Sequence, residues 1–149
     1  MPARTSKRQA GIDVSEDPSR SVRKRRAILA AATETFLRDG YLGASMDEIA
    51  AVSEVSKQTV YKHFNSKEAL FVEIVSSMTD TAGDQVHVEP ILPSGRATLA
   101  AFLEDYALRQ LTVVLTPRIM QLRRLVIGEV ARFPELASVL FERGPMRAI

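Results

Sequence analysis

The sequence contains no cysteine and no tryptophan, and only two of its 149 residues are histidine. Without cysteine the chain cannot form disulfide bonds or cysteine-ligated metal sites. It also lacks a Ser–His–acid set, an HExxH motif and a glycine-rich phosphate loop, so we expect no enzyme, no metal site and no cofactor. No apolar run approaches the roughly 20 residues that span a bilayer, and no apolar segment follows the basic N-terminus. These absences predict a cytoplasmic protein.

Charge is distributed unevenly along the chain, although the net charge is only +2. Up to Lys67 there are 12 Lys and Arg against 8 Asp and Glu, whereas the remainder has 8 against 10. Hydrophobic residues make up 46% of the sequence, which is enough for the core of one domain, or of one small domain with an appendage. A basic half suits a polyanionic partner such as nucleic acid, although a solvated surface could carry the same excess.

Residues 45–64 (SMDEIAAVSEVSKQTVYKHF) have the pattern of two short helices joined by a tight turn. Ser45 precedes Glu48 by three residues, which is the spacing of a capping box. Apolar residues at helical spacing follow, and Ser56 is a good N-cap for the second helix. The predicted inward positions are Met46, Ile49, Ala50 and Val52 on the first helix and Val55, Val60 and Phe64 on the second.

The second helix leaves polar side chains outside, where a core helix would carry leucines. Two amines, an amide, a phenol and an imidazole offer donors for phosphate oxygens and for base edges. This pattern is typical of the second helix of a helix-turn-helix reader of DNA. Two alternatives stay open, since Tyr61 could pack in a core and His63 could lie on a solvated helix end. The outward residues are Lys57, Gln58, Tyr61, Lys62 and His63, with Thr59 between the two faces.

The longer stretch SMDEIAAVSEVSKQTVYKHFNSKEALF resembles the DNA-binding signature of the TetR family of bacterial transcriptional regulators, and residues 28–40 resemble the family's first helix. The resemblance implies an all-α fold, in which a three-helix DNA-binding domain with the helix-turn-helix precedes a helical regulatory domain. Glu54 departs from the pattern, because the family often has glycine in this turn. A residue with a Cβ atom is disfavoured at positive φ, so we expect the turn to be αR-like or slightly strained.

The resemblance and the outward face together predict the DNA contacts. Base edges are assigned to Lys57, Gln58 and Tyr61. Phosphates are assigned to Ser45, Thr59, Lys62, His63, Lys67, Arg25 and Arg26. Lys67, Arg25 and Arg26 lie near helix N-termini, where a cation is unfavourable to the macrodipole by a few tenths of a kcal/mol. Phosphate contact would explain why cations occur there. For the two arginines, a solvated charged face is the alternative. Basic residues of the N-terminal arm could track phosphates or contribute only long-range attraction.

Periodicity and turn residues divide the chain into five segments. We expect Gly40 to end the first helix, and Tyr41 and Leu42 to pack that helix onto the helix-turn-helix. The three helices should share a core of Ile28, Phe36, Ile49, Val60 and Phe64. The predicted segments are a disordered basic arm over 1–20, the helix-turn-helix domain over 21–66, a connecting helix over 67–79, a linker over 80–95 and a partial helical domain for ligand binding and dimerisation over 96–149.

The second half has three helical patterns, over residues 96–115, 117–130 and 134–143. Gln110 is the lone polar member of the apolar face of the first pattern. The interior of these helices could hold a small, mostly apolar ligand, or it could be plain core with Gln110 bonded across helices. The residues predicted to contact such a ligand are Phe102, Tyr106 and Gln110.

The segment RLVIGEVARFPELASVLFERGP resembles the corresponding region of one branch of TetR-like regulators. Family members continue with two further helices that build a four-helix-bundle dimer interface, and this sequence stops before them. Either it is a truncated product or its dimer uses other surfaces. The apolar stripes on residues 96–115 and 118–130 should then be partly exposed.

The resulting prediction is a DNA-binding transcriptional repressor, cytoplasmic and nucleoid-associated, that binds a pseudo-palindromic operator as a homodimer and is released by a small apolar ligand. Its partners would be double-stranded operator DNA, a second copy of the chain and a small-molecule inducer. Two alternatives are a helical protein-interaction module and a truncated regulator that no longer senses ligand.

Overall fold

The computed structural model describes residues 18–86 and 96–148, and all regular structure in these ranges is helical. This confirms the predicted all-α class. Residues 1–17, 87–95 and 149 lie outside the described residues, and with them most of the predicted arm, part of the predicted linker and His87. The helices are α1 (Pro18–Gly43), α2 (Met46–Val52), α3 (Lys57–Phe64), α4 (Lys67–Val86), α5 (Arg96–Val114), α6 (Pro117–Glu129) and α7 (Glu135–Arg143), followed by a 3₁₀ helix at Pro145–Ala148.

Helix α1 begins at Pro18, before the predicted start at residue 21, and is interrupted at Gly40. Gly40 has a φ of 73° and a ψ of 177°, a backbone conformation that is essentially restricted to glycine, so the predicted break is confirmed. After the glycine, Tyr41 is 3% exposed but Leu42 is 69% exposed. The prediction that Leu42 packs against the helix-turn-helix was wrong, because successive side chains of a helical turn point about 100° apart and only one of them faces the core here.

Both predicted N-caps of the helix-turn-helix are confirmed. Ser45 Oγ accepts the Glu48 N–H at 3.1 Å, and Ser56 Oγ accepts the Thr59 N–H at 3.2 Å. The predicted core is confirmed as well, with every member 3% exposed or less: Ile28, Phe36, Ile49, Val60 and Phe64. Val52 was assigned inward wrongly, because it is 56% exposed at the end of α2.

The turn between α2 and α3 is left-handed at Glu54, whose φ is 56°. The expected αR-like turn was therefore wrong, and the expected strain is present. Two hydrogen bonds explain this conformation: the Val55 N–H donates to the Ala50 carbonyl at 3.1 Å, and the Glu54 N–H donates to the Ala51 carbonyl at 3.2 Å. This pair of bonds defines a Schellman motif, which requires a left-handed residue at the position of Glu54.

Helix α4 is longer than predicted, because it continues through residues 80–86, which had been assigned to the linker. Thr79, Gly83 and Val86 are buried at helical spacing along this extension. Gly83 had been taken as a turn residue, yet a helix interior accepts glycine where packing outweighs its cost of roughly 1 kcal/mol. The extension carries α4 alongside α7 and the 3₁₀ helix.

One hydrophobic core joins the two halves of the chain. Phe36 and Phe71 from the first half and Leu122, Phe133 and Leu136 from the second belong to the same buried cluster. Helix α5 lies at the edge of this core, since none of its described side chains is buried and both Leu99 and Leu103 are exposed. The predicted partial exposure of this apolar stripe is confirmed. No helix in residues 18–86 or 96–148 combines the length and the apolar character needed to cross a membrane.

Candidate functional site

The three residues predicted to read base edges lie together on the exposed face of α3. Lys57 and Gln58 are exposed, and Tyr61 is 40% exposed. The opposite face of the same helix is buried through Val60 and Phe64. Tyr61 therefore does not pack in the core, and the three side chains can reach a ligand in solvent. We call Lys57, Gln58 and Tyr61 the α3 face.

Lys57 is paired with a residue that the sequence analysis did not identify. Its Nζ lies 2.7 Å from Oδ1 of Asp47, the second residue of α2. The hydrogen bond to Asp47, and then the charge of that carboxylate, raise the pKa of Lys57. Nothing in the local pattern could have found this pair, because it depends on how α2 and α3 cross.

Of the residues predicted to bind phosphate, Ser45 and Thr59 carry hydroxyl groups that are already bonded. Ser45 Oγ caps α2, and Thr59 Oγ1 lies 2.8 Å from Ser56 Oγ. A hydroxyl can still bond a further partner, because it offers one donor and two acceptor sites. Lys62 is exposed beside them at the C-terminal end of α3.

His63 is placed less favourably for phosphate contact. Its Nε2 atom is buried and has no hydrogen-bond partner among the described residues. The ring lies 6.2 Å from that of Phe64, at the edge of the core. Only its Nδ1 atom or its backbone is left for an external ligand.

The cations of α1 and α4 contact protein groups in this structure. Arg25 pairs with Glu73 of α4 and lies 5.0 Å above the ring of Phe64. Lys67 lies 4.7 Å from the centre of the Tyr41 ring. Arg26, by contrast, is exposed. The Arg25 contacts bring the N-terminal part of α1 next to the end of α3, so Arg26 lies on the element adjacent to the α3 face.

Tyr41 is the centre of an aromatic cluster that connects the helix-turn-helix to the C-terminal helices. Its ring lies 5.0 Å from Phe71 and 4.8 Å from Phe133, which precedes α7. Its hydroxyl donates to Glu68 Oε1 at 2.9 Å. Burial, followed by this bond, raises the pKa of Tyr41 to about 12. A second link is the ion pair between Arg118 of α6 and Glu34 of α1, at 2.7 Å.

A cavity of about 610 Å³ lies between α4, α5, α6 and α7. Gln110 lines it, and the Nε2 atom of that side chain is buried without a hydrogen-bond partner among the described residues. The other two predicted ligand contacts are not among the lining residues; Phe102 and Tyr106 stack on each other at 6.4 Å. The lining is otherwise mostly apolar and includes Gly83, Leu122, Val126 and Leu140. The contribution of α4 was not predicted, because the predicted helix ended at residue 79 and the observed one continues to Val86.

Two family profiles match the chain. Residues 28–74 match the profile described as bacterial regulatory proteins of the tetR family. Residues 101–149 match the C-terminal domain of AefR-like transcriptional repressors. The first match contains the helix-turn-helix, and the second contains most of the helices that surround the cavity.

Individual relatives agree with these profiles. The uncharacterized HTH-type transcriptional regulator YhgD of Bacillus subtilis is 31% identical over 115 residues, which are 74% of this chain and 60% of YhgD. A solved TetR-family transcriptional regulator from Mesorhizobium loti is 36% identical with a TM-score of 0.72, over 87% of this chain and 64% of that one. The flavonoid-responsive regulator FrrA is 33% identical with a TM-score of 0.65, over 83% and 61%.

This chain thus spans between 60% and 64% of the length of these three proteins. The helix-turn-helix pattern, the helical fold and both profile matches agree. The chain belongs to the TetR family of bacterial transcriptional regulators.

Proposed function

We propose that this chain is a transcriptional repressor that binds a pseudo-palindromic DNA operator as a homodimer and is released by a small, mostly apolar ligand. The observation that carries the DNA-binding part is the exposure of Lys57, Gln58 and Tyr61 on α3, whose other side is buried. An α-helix of this kind fits the major groove, where amines and amides distinguish guanine and adenine edges. Lys57, Gln58 and Tyr61 are all exposed in the described residues.

Phosphate contacts would hold α3 in register. Lys62 and Ser45 are exposed on the helix-turn-helix, and Arg26 is exposed on α1. Such contacts position a protein on the duplex without reading its sequence. Two copies related by a two-fold axis would read two half-sites about one helical turn apart, which is why the operator should be pseudo-palindromic.

The decisive experiment is a binding titration of the 149-residue chain against a duplex enriched from a randomised library and an unselected duplex of the same length. Gln58→Ala should lower the ratio of the two affinities by about tenfold, since one good base contact is worth roughly 1–3 kcal/mol. Arg26→Ala should weaken both duplexes equally and flatten the salt dependence by about one unit. Equal ratios for Gln58→Ala and the unchanged chain would exclude Gln58 as a base reader.

The cavity supports the ligand part of the proposal. A concave, mostly apolar space with a few convergent polar groups is the usual form of a small-molecule site. Gln110, Arg123 and Thr79 are polar residues in this lining, and the Gln110 amide is buried without a partner among the described residues. FrrA is described as flavonoid-responsive, and a planar aromatic molecule with a few hydroxyl groups suits an apolar lining that also carries Gln110, Arg123 and Thr79. The ligand proposed here is of this class.

Release would pass through the contacts between the cavity helices and the helix-turn-helix. Phe133 lies between α6 and α7, both of which line the cavity, and its ring contacts Tyr41 and Phe71. A ligand that separates α6 from α7 would move Phe133 and with it the support of α1. A ligand shifts such an equilibrium only by its difference in affinity for the two states.

A thermal unfolding series with a flavonoid aglycone tests ligand binding, with its bulky glycoside as the control compound. Real binding raises the unfolding temperature progressively as ligand concentration increases, and above the dissociation constant the rise follows the logarithm of that concentration. The aglycone should also weaken binding to the enriched duplex, whereas the glycoside should do neither. If the aglycone stabilised the protein without lowering its affinity for DNA, ligand binding would be supported and release from DNA by the ligand would be excluded.

The dimer part of the proposal is supported by the outer side of α5. Leu108, Leu111 and Leu115 are 63%, 52% and 60% exposed, and they recur at the spacing of one helix stripe. Patches of this kind tend to mark contacts with other proteins. Sedimentation analysis of the chain over a range of concentrations should show a dimer, and Leu111→Glu should shift it to monomer. A monomer at every concentration would contradict the proposal.

A further inference from the structure

The ion pair between Asp47 and Lys57 joins the two helices of the helix-turn-helix on the side that carries the α3 face. The amine and the carboxylate oxygen are 2.7 Å apart, and the two side chains are 57% and 70% exposed. A pair this exposed contributes little to stability. The backbone nonetheless fixes where the pair lies. Lys57 is the first residue of α3 and Asp47 is the second residue of α2, and the Schellman turn between these helices sets the angle at which they cross.

We propose that Asp47 is a positioning residue for sequence recognition, which holds Lys57 as a reader of guanine edges and disfavours its use as a general phosphate contact. The inference rests on the proposed function, and it adds a specificity determinant on α2 to the contacts proposed for α3. Among the described residues, Asp47 is the carboxylate that contacts the Lys57 amine.

The donor geometry of the ammonium group supports this role. An ammonium group has three donors and no acceptor, and Asp47 takes one of them. Two donors remain for the O6 and N7 acceptors that guanine presents in the major groove. Lys57 can therefore keep its carboxylate partner while it binds a guanine, and the carboxylate restricts the directions in which the free donors point.

The same carboxylate acts against phosphate. A phosphate that approaches Lys57 also approaches the negative charge of Asp47, and like charges repel more strongly as the interface loses water. Non-specific binding is driven by the counterions that a protein cation releases from DNA phosphates. Because its charge is already paired, Lys57 releases few of them and contributes little to non-specific binding. A guanine edge carries no net charge, so it does not meet this repulsion.

The test compares affinities of the full chain and its variants for the enriched duplex and the unselected duplex over a series of salt concentrations. Asp47→Asn should bind the unselected duplex more tightly and steepen its salt dependence by about one unit. The ratio of enriched to unselected affinity should fall by about tenfold, which is the effect of one lost base contact. Asp47→Glu, which keeps the charge, should retain most of that ratio.

Glu48→Gln is the matched control. Glu48 lies in the same first turn of α2, but its carboxylate pairs with Arg38. Its removal lowers the negative charge of the unit equally, so both duplexes should bind slightly tighter with an unchanged ratio. If Glu48→Gln lowered the ratio as much as Asp47→Asn, net charge would explain the effect and the inference would be wrong.

Lys57→Met provides the second half of a double-mutant cycle. In the Lys57→Met chain, the further change Asp47→Asn should leave the affinity ratio unaltered, because the residue through which Asp47 acts is absent. An equal loss of ratio with and without Lys57 would overturn the proposal. Circular dichroism verifies that each variant is folded, and Asp47→Ser, which retains a helix-compatible polar group, replaces Asp47→Asn if that variant is not.

Failure of the inference is distinguishable from failure of the proposed function. If no duplex is enriched and the unchanged chain binds no DNA at low salt, the proposed function is wrong. If the unchanged chain discriminates between the duplexes and Asp47→Asn discriminates equally well, DNA recognition stands and only the role of Asp47 is excluded.

Discussion

The helix-turn-helix unit and the C-terminal helices differ in how completely their apolar side chains are buried. Ile28, Phe36, Ile49 and Val60 in α1 to α3 are each 0% exposed, whereas Leu103 of α5 is 53% exposed. Dense packing resists deformation, and sparse packing lowers local stability. The N-terminal unit is therefore a rigid support for the α3 face, and α5 is the sparsely packed wall of the cavity.

Alanine substitutions on the two sides of this comparison should differ most. Phe36 of α1 is 0% exposed and its ring contacts Tyr41 and Phe71, so Phe36→Ala should lower the free energy of unfolding by about 3–5 kcal/mol. Leu103→Ala should lower it by less than about 0.5 kcal/mol. Urea denaturation measures both values. A large loss for Leu103→Ala would show that α5 is packed in solution, and the contrast between the halves would fail.

Tyr41→Phe tests the hydrogen bond that joins α1 to α4 beside the aromatic cluster. The substitution keeps the ring in the aromatic cluster and removes the bond to Glu68, so it should cost about 1–1.5 kcal/mol. Tyr106→Phe in α5 is the control, because it removes a tyrosine hydroxyl from a side chain that is only partly buried. Phe71→Tyr is unsuitable as a control, because it would add a hydroxyl to the core.

The same tyrosine predicts a pH dependence. Its pKa is raised to about 12 in the folded chain, against about 10 in an unfolded chain. Between these values the folded state holds the proton that the unfolded state has lost, so stability is retained below pH 10 and falls as pH rises toward 12. The difference in unfolding free energy between the unchanged chain and Tyr41→Phe should shrink over this interval. A constant difference would mean that the hydroxyl is not buried in solution.

Glu54→Gly and Gly40→Ala form a matched pair within the rigid unit. Both positions have a positive φ, 56° and 73°, and a left-handed residue with a Cβ atom costs about 1–2 kcal/mol. Glu54→Gly should therefore stabilise the chain by about 1 kcal/mol. Gly40→Ala should destabilise it by about 1–3 kcal/mol, because the conformation of Gly40 (φ 73°, ψ 177°) is essentially restricted to glycine. No heavy atom lies within 4 Å of a Cβ built at Gly40, so its effect should come from the backbone alone. Thermal unfolding that moved in the same direction for both would contradict the assigned turns.

Gln110→Met, in the wall of the cavity, should have a small effect on stability. The Gln110 amide is buried without a partner among the described residues, and a thioether of similar length needs none. We expect a gain of about 0.5–1 kcal/mol in unfolding free energy, because an unsatisfied buried donor is removed. The flavonoid response should be reduced in the same variant, and a loss of stability would indicate that the amide is bonded in solution.

The features predicted correctly depend on residues close together in the chain. Ser45 and Ser56 cap helices that begin at the next residue, and Gly40 ends a helix by its own conformation. The Glu54 turn was predicted only in part, because the sequence suggested strain but not the two hydrogen bonds that require a left-handed residue. The extension of α4 was missed because its buried positions pack against α7, which is remote in sequence.

The α3 face and the helical fold were determined by the sequence alone, because helix periodicity assigns inward and outward positions from spacing within a few residues. The pairing of Asp47 with Lys57, the Tyr41 contacts to Phe133 and the place of Gln110 in the cavity were decided only by the tertiary structure. Each of them joins side chains on different helices. Such distances depend on crossing angles and on packing in the shared core, which no local pattern encodes.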